Sequence, residues 1–247
     1  MNFTILRYET IDSTNTEAAK QAKLGADEGL CVIARQQTAG RGRHGRAWLS
    51  DKDAGLYLSL VLRPRIDTRF LPLITLMSGV AIHDALKEFG LSPDIKWVND
   101  ILVRERKICG ILAETVDTPG GLAVIVGIGV NLTSRNFPDE IAESATSIEA
   151  EIGSRVSADE LAEVLTRFFG YFYAILSDEN GAAKTVKHWS RRSSYFLGKE
   201  VRVTLGGNIV QGTTDGLEEN GALRLRQADG SISVVQAGDV EKVRAED

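Results

Sequence analysis

The sequence contains little cysteine, little proline and no long hydrophobic run. Cys31 and Cys109 are the only cysteines among 247 residues, and each lies inside an apolar stretch. Because they form neither a disulfide framework nor a C-x-x-C metal site, we expect buried, reduced thiols and a cytoplasmic protein. The longest uncharged apolar stretch, residues 121–130, is far shorter than the roughly 20 residues that span a bilayer. The first residues lack the basic start and apolar region of a signal peptide, so we expect no membrane partner.

The composition is that of an acidic globular protein. Apolar residues make up 43% of the chain, charged residues make up 26%, and the formal net charge is −5. The length allows one large domain, or a large domain with a small one. An acidic chain argues against general nucleic-acid binding, which usually requires a basic domain. The first predicted strand and helix begin at once, so we expect no helix-turn-helix domain and no DNA partner.

Strands and helices alternate over most of the chain. The elements predicted before residue 193 are a helix opened by a capping box at Thr14–Glu17 and closed by Gly25, strands at 30–35 and 55–63, a helix at 71–89, a hairpin turning at Glu105–Arg106, a turn at 118–121, a strand at 122–132, a helix at 158–177 and a basic helix ending near Ser193. The apolar face predicted for the helix at 158–177 consists of Leu161, Leu165, Phe168, Phe172 and Leu176. This pattern predicts an α+β domain with a mixed β-sheet and flanking helices.

The pattern changes at about Leu197. Four short alternating segments follow, separated by turns rich in Gly, Asn and Asp. Such segments are typical of a small all-β barrel. We therefore predict a larger domain over residues 1–192 and a small β domain over residues 193–247.

Residues 39–48 (AGRGRHGRAW) form a loop with an unusual density of positive charge. Its glycines are Gly40, Gly42 and Gly45, and its arginines are Arg41, Arg43 and Arg46. Glycines let main-chain N–H groups approach a ligand, and guanidinium groups match carboxylates and phosphates. A local basic loop on an acidic chain suits a small anionic ligand. A solvated loop and an RGG-type nucleic-acid contact remain open alternatives; a dinucleotide-binding fingerprint is disfavoured because no helix follows.

Three further stretches carry polar groups beside apolar ones. K-W-V-N-D (96–100) places Lys96, Asn99 and Asp100 within one strand and its end, where unpaired burial would be costly. Lys107 begins the apolar strand K-I-C-G-I-L-A-E, either as a surface lysine near a turn or as a functional amine. In G-I-G-V-N (127–131), two glycines precede Asn131, and glycines inside a strand indicate close approach of another group.

Taken in order, these stretches resemble the biotin protein ligase family. The motifs that carry the resemblance are D-S-T-N (12–15), Q-T-A-G-R-G-R-H-G-R-A-W (37–48), K-W-V-N-D (96–100), K-I-C-G-I-L-A-E (107–114) and G-I-G-V-N (127–131). The tail resembles the small SH3-like C-terminal domain of that family. Two departures are visible: His44 stands where arginine is common, and Val98 replaces the usual proline.

The resemblance implies a class II synthetase-like catalytic domain and a two-step reaction. Biotin and ATP would form biotinyl-5′-AMP, with Mg²⁺, and a lysine of a carboxylase's biotin carboxyl carrier domain would then take the biotin. It also implies a homodimer. The implied biotin contacts are Ser13, Thr14, Asn15, Gln37, Gly40, Arg41, Gly42, Arg43 and Lys107. The implied ATP contacts are Arg41, Arg43, Arg46, Trp48, Asn99 and Asn131. The implied catalytic groups are Arg43, Lys107, Asp100 and Lys96, with Asp100 also a Mg²⁺ ligand.

Other functions compete with this reading. A lipoate or octanoate protein ligase shares the catalytic fold, although the arginine-rich loop favours biotin. A biotin-binding regulator of transcription and a pure binding module are the alternatives outside enzymes.

Overall fold

The computed structural model describes residues 1–135, 137–205, 208–236 and 238–242. The strands are β1 (Thr4–Tyr8), β2 (Leu30–Ala34), β3 (Gly55–Leu62), β4 (Asp94–Lys96), β5 (Asp100–Val103), β6 (Arg106–Thr118), β7 (Gly121–Asn131), β8 (Leu197–Leu205), β9 (Asn208–Leu217), β10 (Leu223–Arg226), β11 (Ile232–Val235) and β12 (Asp239–Lys242). The helices are α1 (Thr14–Lys23), α2 (Leu73–Glu88), α3 (Asp139–Ala142), α4 (Ile148–Ile152), α5 (Ala158–Leu176) and α6 (Gly181–Ser190). Within these residues, no helix is both long and apolar enough to cross a membrane.

A seven-stranded mixed sheet forms the centre of the larger domain. Its strand order is β1-β2-β3-β7-β6-β5-β4. Strands β1 and β2 are parallel, and the other neighbours are antiparallel. The expected α+β architecture, with a mixed sheet and flanking helices, is confirmed.

The two faces of the sheet differ because successive side chains along a strand point to opposite sides. In β3, Leu56, Leu58, Leu60 and Leu62 lie in the main core, which α2 and α5 cover, and α6 packs against these two helices. Val61 on the opposite face belongs to a smaller cluster under α1. Helix α1 covers only part of that second face, so the remainder is available for a cavity.

Four local predictions are corrected by the structure. Thr14–Glu17 is not a capping box: Ser13 is the N-cap residue, without a side-chain capping bond, and the Thr14 hydroxyl points to Gln37 instead. The β5–β6 hairpin turns at Arg104–Glu105, one residue earlier than predicted, because both residues adopt positive φ. On α5, Phe169 rather than Phe168 is fully buried.

The basic helix is the fourth correction, because α6 ends at Ser190, short of Ser193. The strands at 30–34 and 55–62 and the helix at 73–88, which ends before Gly90, confirm the predicted elements to within about two residues.

The tail forms a five-stranded antiparallel sheet in the order β11-β10-β9-β8-β12. Strand β12, which the sequence analysis did not predict, pairs with β8. The indole Nε1 of Trp97 donates to the Gly221 carbonyl at 3.0 Å, which joins the β4–β5 turn to the β9–β10 connection. The SH3-like β domain is thus confirmed as a second β unit, while the boundary at residue 193 stays a prediction.

Candidate functional site

A cavity of about 1540 Å³ opens on the sheet face that α1 leaves uncovered. Nearly all the residues predicted from sequence line it: Ser13, Thr14, Asn15, Gln37, Arg41, Gly42, Arg43, Arg46, Trp48, Lys96, Asn99, Asp100, Lys107 and Asn131. Gly40 instead lines a smaller cavity on the other side of residues 39–48, which we call the arginine loop. The fold therefore brings distant motifs to one place.

Glycines at the centre of the sheet create this space. A Cβ on Gly127 would lie 2.1 Å from Asn15 Oδ1, and a Cβ on Gly129 would lie 2.5 Å from the Trp48 indole. Gly110 is the register partner of Gly129, and its Cβ would also meet Trp48, at 2.9 Å. The indole therefore lies against two paired glycines, which explains why glycine interrupts these apolar strands.

Hydroxyl and amide groups form the floor of the cavity beside α1. The Thr14 backbone N–H donates to Gln37 Oε1 at 2.8 Å, and the Thr14 hydroxyl lies 3.0 Å from the same oxygen. Ser59 Oγ lies 2.8 Å from the Thr14 hydroxyl and 2.6 Å from Asn15 Oδ1. Sequence reasoning missed Ser59; the available signal was a serine inside an otherwise apolar, fully buried strand. The floor residues that line the cavity, Thr14, Asn15 and Gln37, can donate to and accept from a neutral polar ligand, whereas the buried Ser59 supports them from behind.

The arginine loop is a short hairpin rather than an irregular segment. Trp48 N donates to Gly40 O at 2.9 Å, and Gly42 N donates to Arg46 O at 2.7 Å. At its tip, His44 (φ 55°) and Gly45 (φ 74°) both adopt positive φ, which is typical of a type I′ turn. Histidine is among the non-glycine residues that tolerate this region, so His44 fits the turn.

Arg41 contacts β6, whereas Arg43 contacts both the β4–β5 turn and the small domain. Arg41 forms a bidentate pair with Glu114, at 3.1 and 2.8 Å. Arg43 Nη1 donates to Asn99 Oδ1 at 2.9 Å and to the Gly238 carbonyl at 3.2 Å.

The third arginine reaches the small domain. Arg46 pairs with Asp239 of β12, and Arg43 lies 3.8 Å from the same carboxylate. Glu114 and Asp239 were not predicted as site residues. Their carboxylates neutralise guanidinium groups of the loop, so an incoming anion has to exchange with Asp239 at the tip.

A cluster of two lysines and one carboxylate forms a further wall of the cavity, which we call the basic wall. Asp100 is 2.6 Å from Lys107 Nζ and 3.7 Å from Lys96 Nζ. K-W-V-N-D does not lie within one strand and its end: Lys96 ends β4, Asp100 begins β5, and the two are register partners across a turn. The arrangement leaves a net positive charge at this wall, and Lys107 Nζ is 5.4 Å from the centre of the Trp48 ring.

Two further wall residues, Asn131 and Tyr57, are held by hydrogen bonds within the protein. Asn131 Nδ2 donates to the Thr146 carbonyl at 3.0 Å. Burial, together with Asp51 and Asp53, raises the pKa of Tyr57, whose hydroxyl donates to the Asp51 carbonyl. Tyr57 is therefore a neutral wall residue at physiological pH. Trp48 Nε1 is buried and finds no hydrogen-bond partner in the described part of the chain.

The described residues contain no group of three or more His, Cys, Asp or Glu side chains that could hold a metal ion. Asp100 is the carboxylate at the basic wall, and two lysines already surround it. Mg²⁺ commonly binds through one or two carboxylates plus substrate phosphates, so the residues fit a metal that arrives with a polyphosphate.

The cavity can thus hold two kinds of group side by side. A neutral polar ligand fits the floor near Thr14 and Gln37, and anionic groups fit between the arginine loop and Lys107. Fixed positive charges beside a carboxylate and a phosphate stabilise the charge that develops when one attacks the other.

Comparisons with known proteins agree with this geometry. Residues 8–131 match the biotin/lipoate A/B protein ligase family, and residues 196–243 match the biotin protein ligase C-terminal domain. The biotin–[acetyl-CoA-carboxylase] ligase of Paracoccus denitrificans is 36% identical over 93% of this chain and 96% of its own length. The bifunctional ligase/repressor BirA of Bacillus subtilis is 33% identical over 96% of this chain and 73% of its own length.

A solved structure shows the same likeness in three dimensions. The biotin protein ligase from Aquifex aeolicus, in complex with biotin and ATP, has a TM-score of 0.85 and 28% identity, covering 98% of this chain and 99% of that one. The chain belongs to the biotin/lipoate A/B protein ligase family.

Proposed function

We propose that the chain is an ATP-dependent biotin ligase that modifies a biotin carboxyl carrier domain. A biotin carboxylate oxygen attacks the α-phosphorus of ATP, the bond to the bridging oxygen of the β-phosphate breaks, and pyrophosphate leaves. The ε-amine of the carrier lysine then attacks the acyl carbon of biotinyl-5′-AMP. An amide bond forms, the amine loses a proton and AMP leaves.

The observation that carries this proposal is that one cavity contains two chemically different regions. The neutral hydrogen-bonding floor suits the ureido group of biotin, which both donates and accepts. The basic wall suits a carboxylate and a triphosphate. A volume of about 1540 Å³ accommodates both substrates.

We assign the floor to biotin and the basic wall to the reacting groups. Ser13, Thr14, Asn15 and Gln37 are proposed to hold the ureido end, with Gly40 and Gly42 allowing the loop to approach. Arg43 and Lys107 are proposed to hold the biotin carboxylate and the α-phosphate, while Lys96 keeps this wall basic. Arg41 and Arg46 of the loop, together with Asn99 and Asn131, are proposed to serve the nucleotide, whose adenine meets Trp48.

We propose three tasks for Asp100. Its carboxylate holds Lys107 at 2.6 Å, and it can accept a proton or orient an amine that approaches the acyl carbon. Asp100 would also be the protein ligand of a Mg²⁺ ion bound with ATP, and that ion would neutralise charge on the phosphates.

The arginine loop is proposed to close over the adenylate. Arg43 and Arg46 exchange their contacts with Asn99 and Asp239 for contacts with substrate oxygens, and the hairpin then shields the mixed anhydride from water.

Three finer features belong to the same proposal. A homodimer is expected from the family resemblance, and light scattering with and without biotin plus ATP tests it. The net charge of −5 supports a chain that does not bind DNA, which a gel-shift titration tests. The free, buried thiols of Cys31 and Cys109 suit the reducing cytoplasm.

Exchange of labelled pyrophosphate into ATP tests the function directly. We expect exchange that depends on biotin and is absent with lipoate or octanoate. Exchange with lipoate alone would instead favour a lipoate ligase, and no exchange with any of the three acids would leave only a binding protein.

A further inference from the structure

Glu114 contacts two residues of the site without lining the main cavity. Its carboxylate accepts both hydrogen bonds of the Arg41 guanidinium, and its Oε2 also accepts from Asn15 Nδ2 at 2.8 Å. It is the last residue of the motif at 107–114 and contacts the loop from β6. One carboxylate therefore joins the cavity floor to the base of the arginine loop.

The floor holds Glu114 in place through Asn15. The Asn15 Oδ1 has no proton, so the Ser59 hydroxyl donates to it at 2.6 Å, and this fixes the amide with Nδ2 toward Glu114 and the Leu112 carbonyl. Asn15 is 4% exposed and Ser59 is fully buried. Gly127 leaves the room that the Asn15 amide needs. A rigid strand and a buried amide therefore set the direction of the Glu114 carboxylate.

We propose that Glu114 is a positioning residue that anchors the first arm of the arginine loop through Arg41. This inference rests on the proposed biotin ligase function, in which the loop closes over substrate. The pair with Arg41 keeps the first arm of the hairpin against β6 before substrate binds. Arg43 and Arg46, farther along the hairpin, then move, while Arg41 keeps its pair with Glu114 and turns only its remaining N–H donors to the nucleotide. Because the anchored loop has lost part of its conformational freedom before biotin binds, biotin binding loses less free energy to ordering the loop.

Glu114→Gln keeps the contact with Asn15 and weakens the contact with Arg41. The glutamine Oε1, in the place of Oε2, still accepts from Asn15 and from Arg41 Nη2. Its Nε2 places donors against Arg41 Nη1, and the charge of the carboxylate is lost. The matched control is Asp53→Asn, which removes a carboxylate from another bidentate arginine pair, Arg35–Asp53, outside the loop. Thermal unfolding of both variants establishes that each is folded.

Limited digestion with trypsin measures the anchor without any substrate. The loop offers cleavage after Arg43 and Arg46, and cleavage requires the hairpin to open locally. We expect Glu114→Gln to be cut at these sites about fivefold faster than the parent. A part-exposed ion pair stabilises the closed hairpin by about 1 kcal/mol, and losing that stabilisation makes the open hairpin about five times more populated. Asp53→Asn is expected to be cut at the parental rate. Adding Glu114→Gln to Arg41→Gln is expected to give no further acceleration, because the pair is already broken.

Kinetics then separates positioning from chemistry. In biotin-dependent pyrophosphate exchange, we expect Glu114→Gln to raise the KM for biotin about fivefold at unchanged kcat, since the anchor acts before the chemical step. Parental loop cleavage in Glu114→Gln, or additive acceleration in the double variant, would overturn the anchor. A fall in kcat at unchanged KM would contradict a positioning role. If the parent shows no exchange at all, the proposed function fails, while the trypsin rates still decide whether Glu114 holds the loop.

Discussion

Replacing Gly129 with alanine tests whether the Trp48 indole has to lie against the sheet. The backbone at Gly129 lies outside the left-handed region, so alanine adds steric conflict but no backbone strain. Its Cβ would lie 2.5 Å from Trp48 Cε2 and Nε1, whereas ordinary contact begins at 3.4 Å. The indole therefore has to move by about 1 Å, and a displacement of that size beside reacting groups costs about 100-fold in rate.

The assay is biotin-dependent pyrophosphate exchange, with kcat/KM determined for ATP. We expect kcat/KM of Gly129→Ala to fall about 100-fold while thermal unfolding remains cooperative. Gly170→Ala is the matched control, because its Cβ would lie 3.5 Å from the Phe3 ring, an ordinary contact. In helix α5 this control is expected to keep full activity and to gain about 0.5–1 kcal/mol of stability. A Gly129→Ala enzyme with parental kcat/KM would refute the idea that the position of the indole matters.

Three other substitutions test separate parts of the account. Lys107→Gln is expected to lower kcat for exchange by about 10²–10³-fold, as loss of one preorganised charge does; an effect on KM alone would contradict that. Arg43→Ala is expected to release biotinyl-5′-AMP into solution, whereas equal retention by variant and parent in gel filtration would contradict loop closure. Although burial alone would raise it, hydrogen bonds from His83 and Arg192 lower the pKa of Asp84 to about 2. The ionised Asp84 carboxylate therefore stabilises the fold at pH values above its ordinary pKa, and this stabilisation is lost as the pH falls toward 2. Asp84→Asn is expected to lower the free energy of unfolding in urea by about 2 kcal/mol at pH 7 and by less at pH 3. An equal loss at both pH values would contradict a lowered pKa of Asp84 in the folded protein.

The strongly patterned elements were predictable because their signals are local. The alternating leucines of β3 and the apolar spacing of α5 indicate element type and buried face without reference to the rest of the chain. The one-residue error at Phe168 and the shifted β5–β6 turn have a common cause. Local periodicity does not fix the exact rotation of a helix, and it does not show which residues adopt positive φ.

The missed site residues depend on partners that are distant in sequence. Glu114 pairs with a residue 73 positions away, Asp239 with one 193 positions away, and Ser59 with one 44 positions away. Periodicity reports which face a residue occupies, but it does not report which segment packs against that face. The loop arginines were recognisable by composition, whereas the carboxylates that hold them were visible only after folding.

Formation of a retained adenylate is the decisive test of the proposed activity. The enzyme is incubated with biotin and MgATP without any carrier protein, passed quickly through a desalting column, and analysed by native mass spectrometry. We expect one biotinyl-5′-AMP bound to each chain, formed with biotin and not with octanoate. Chains that carry unreacted biotin or ATP, but no adenylate, would contradict it.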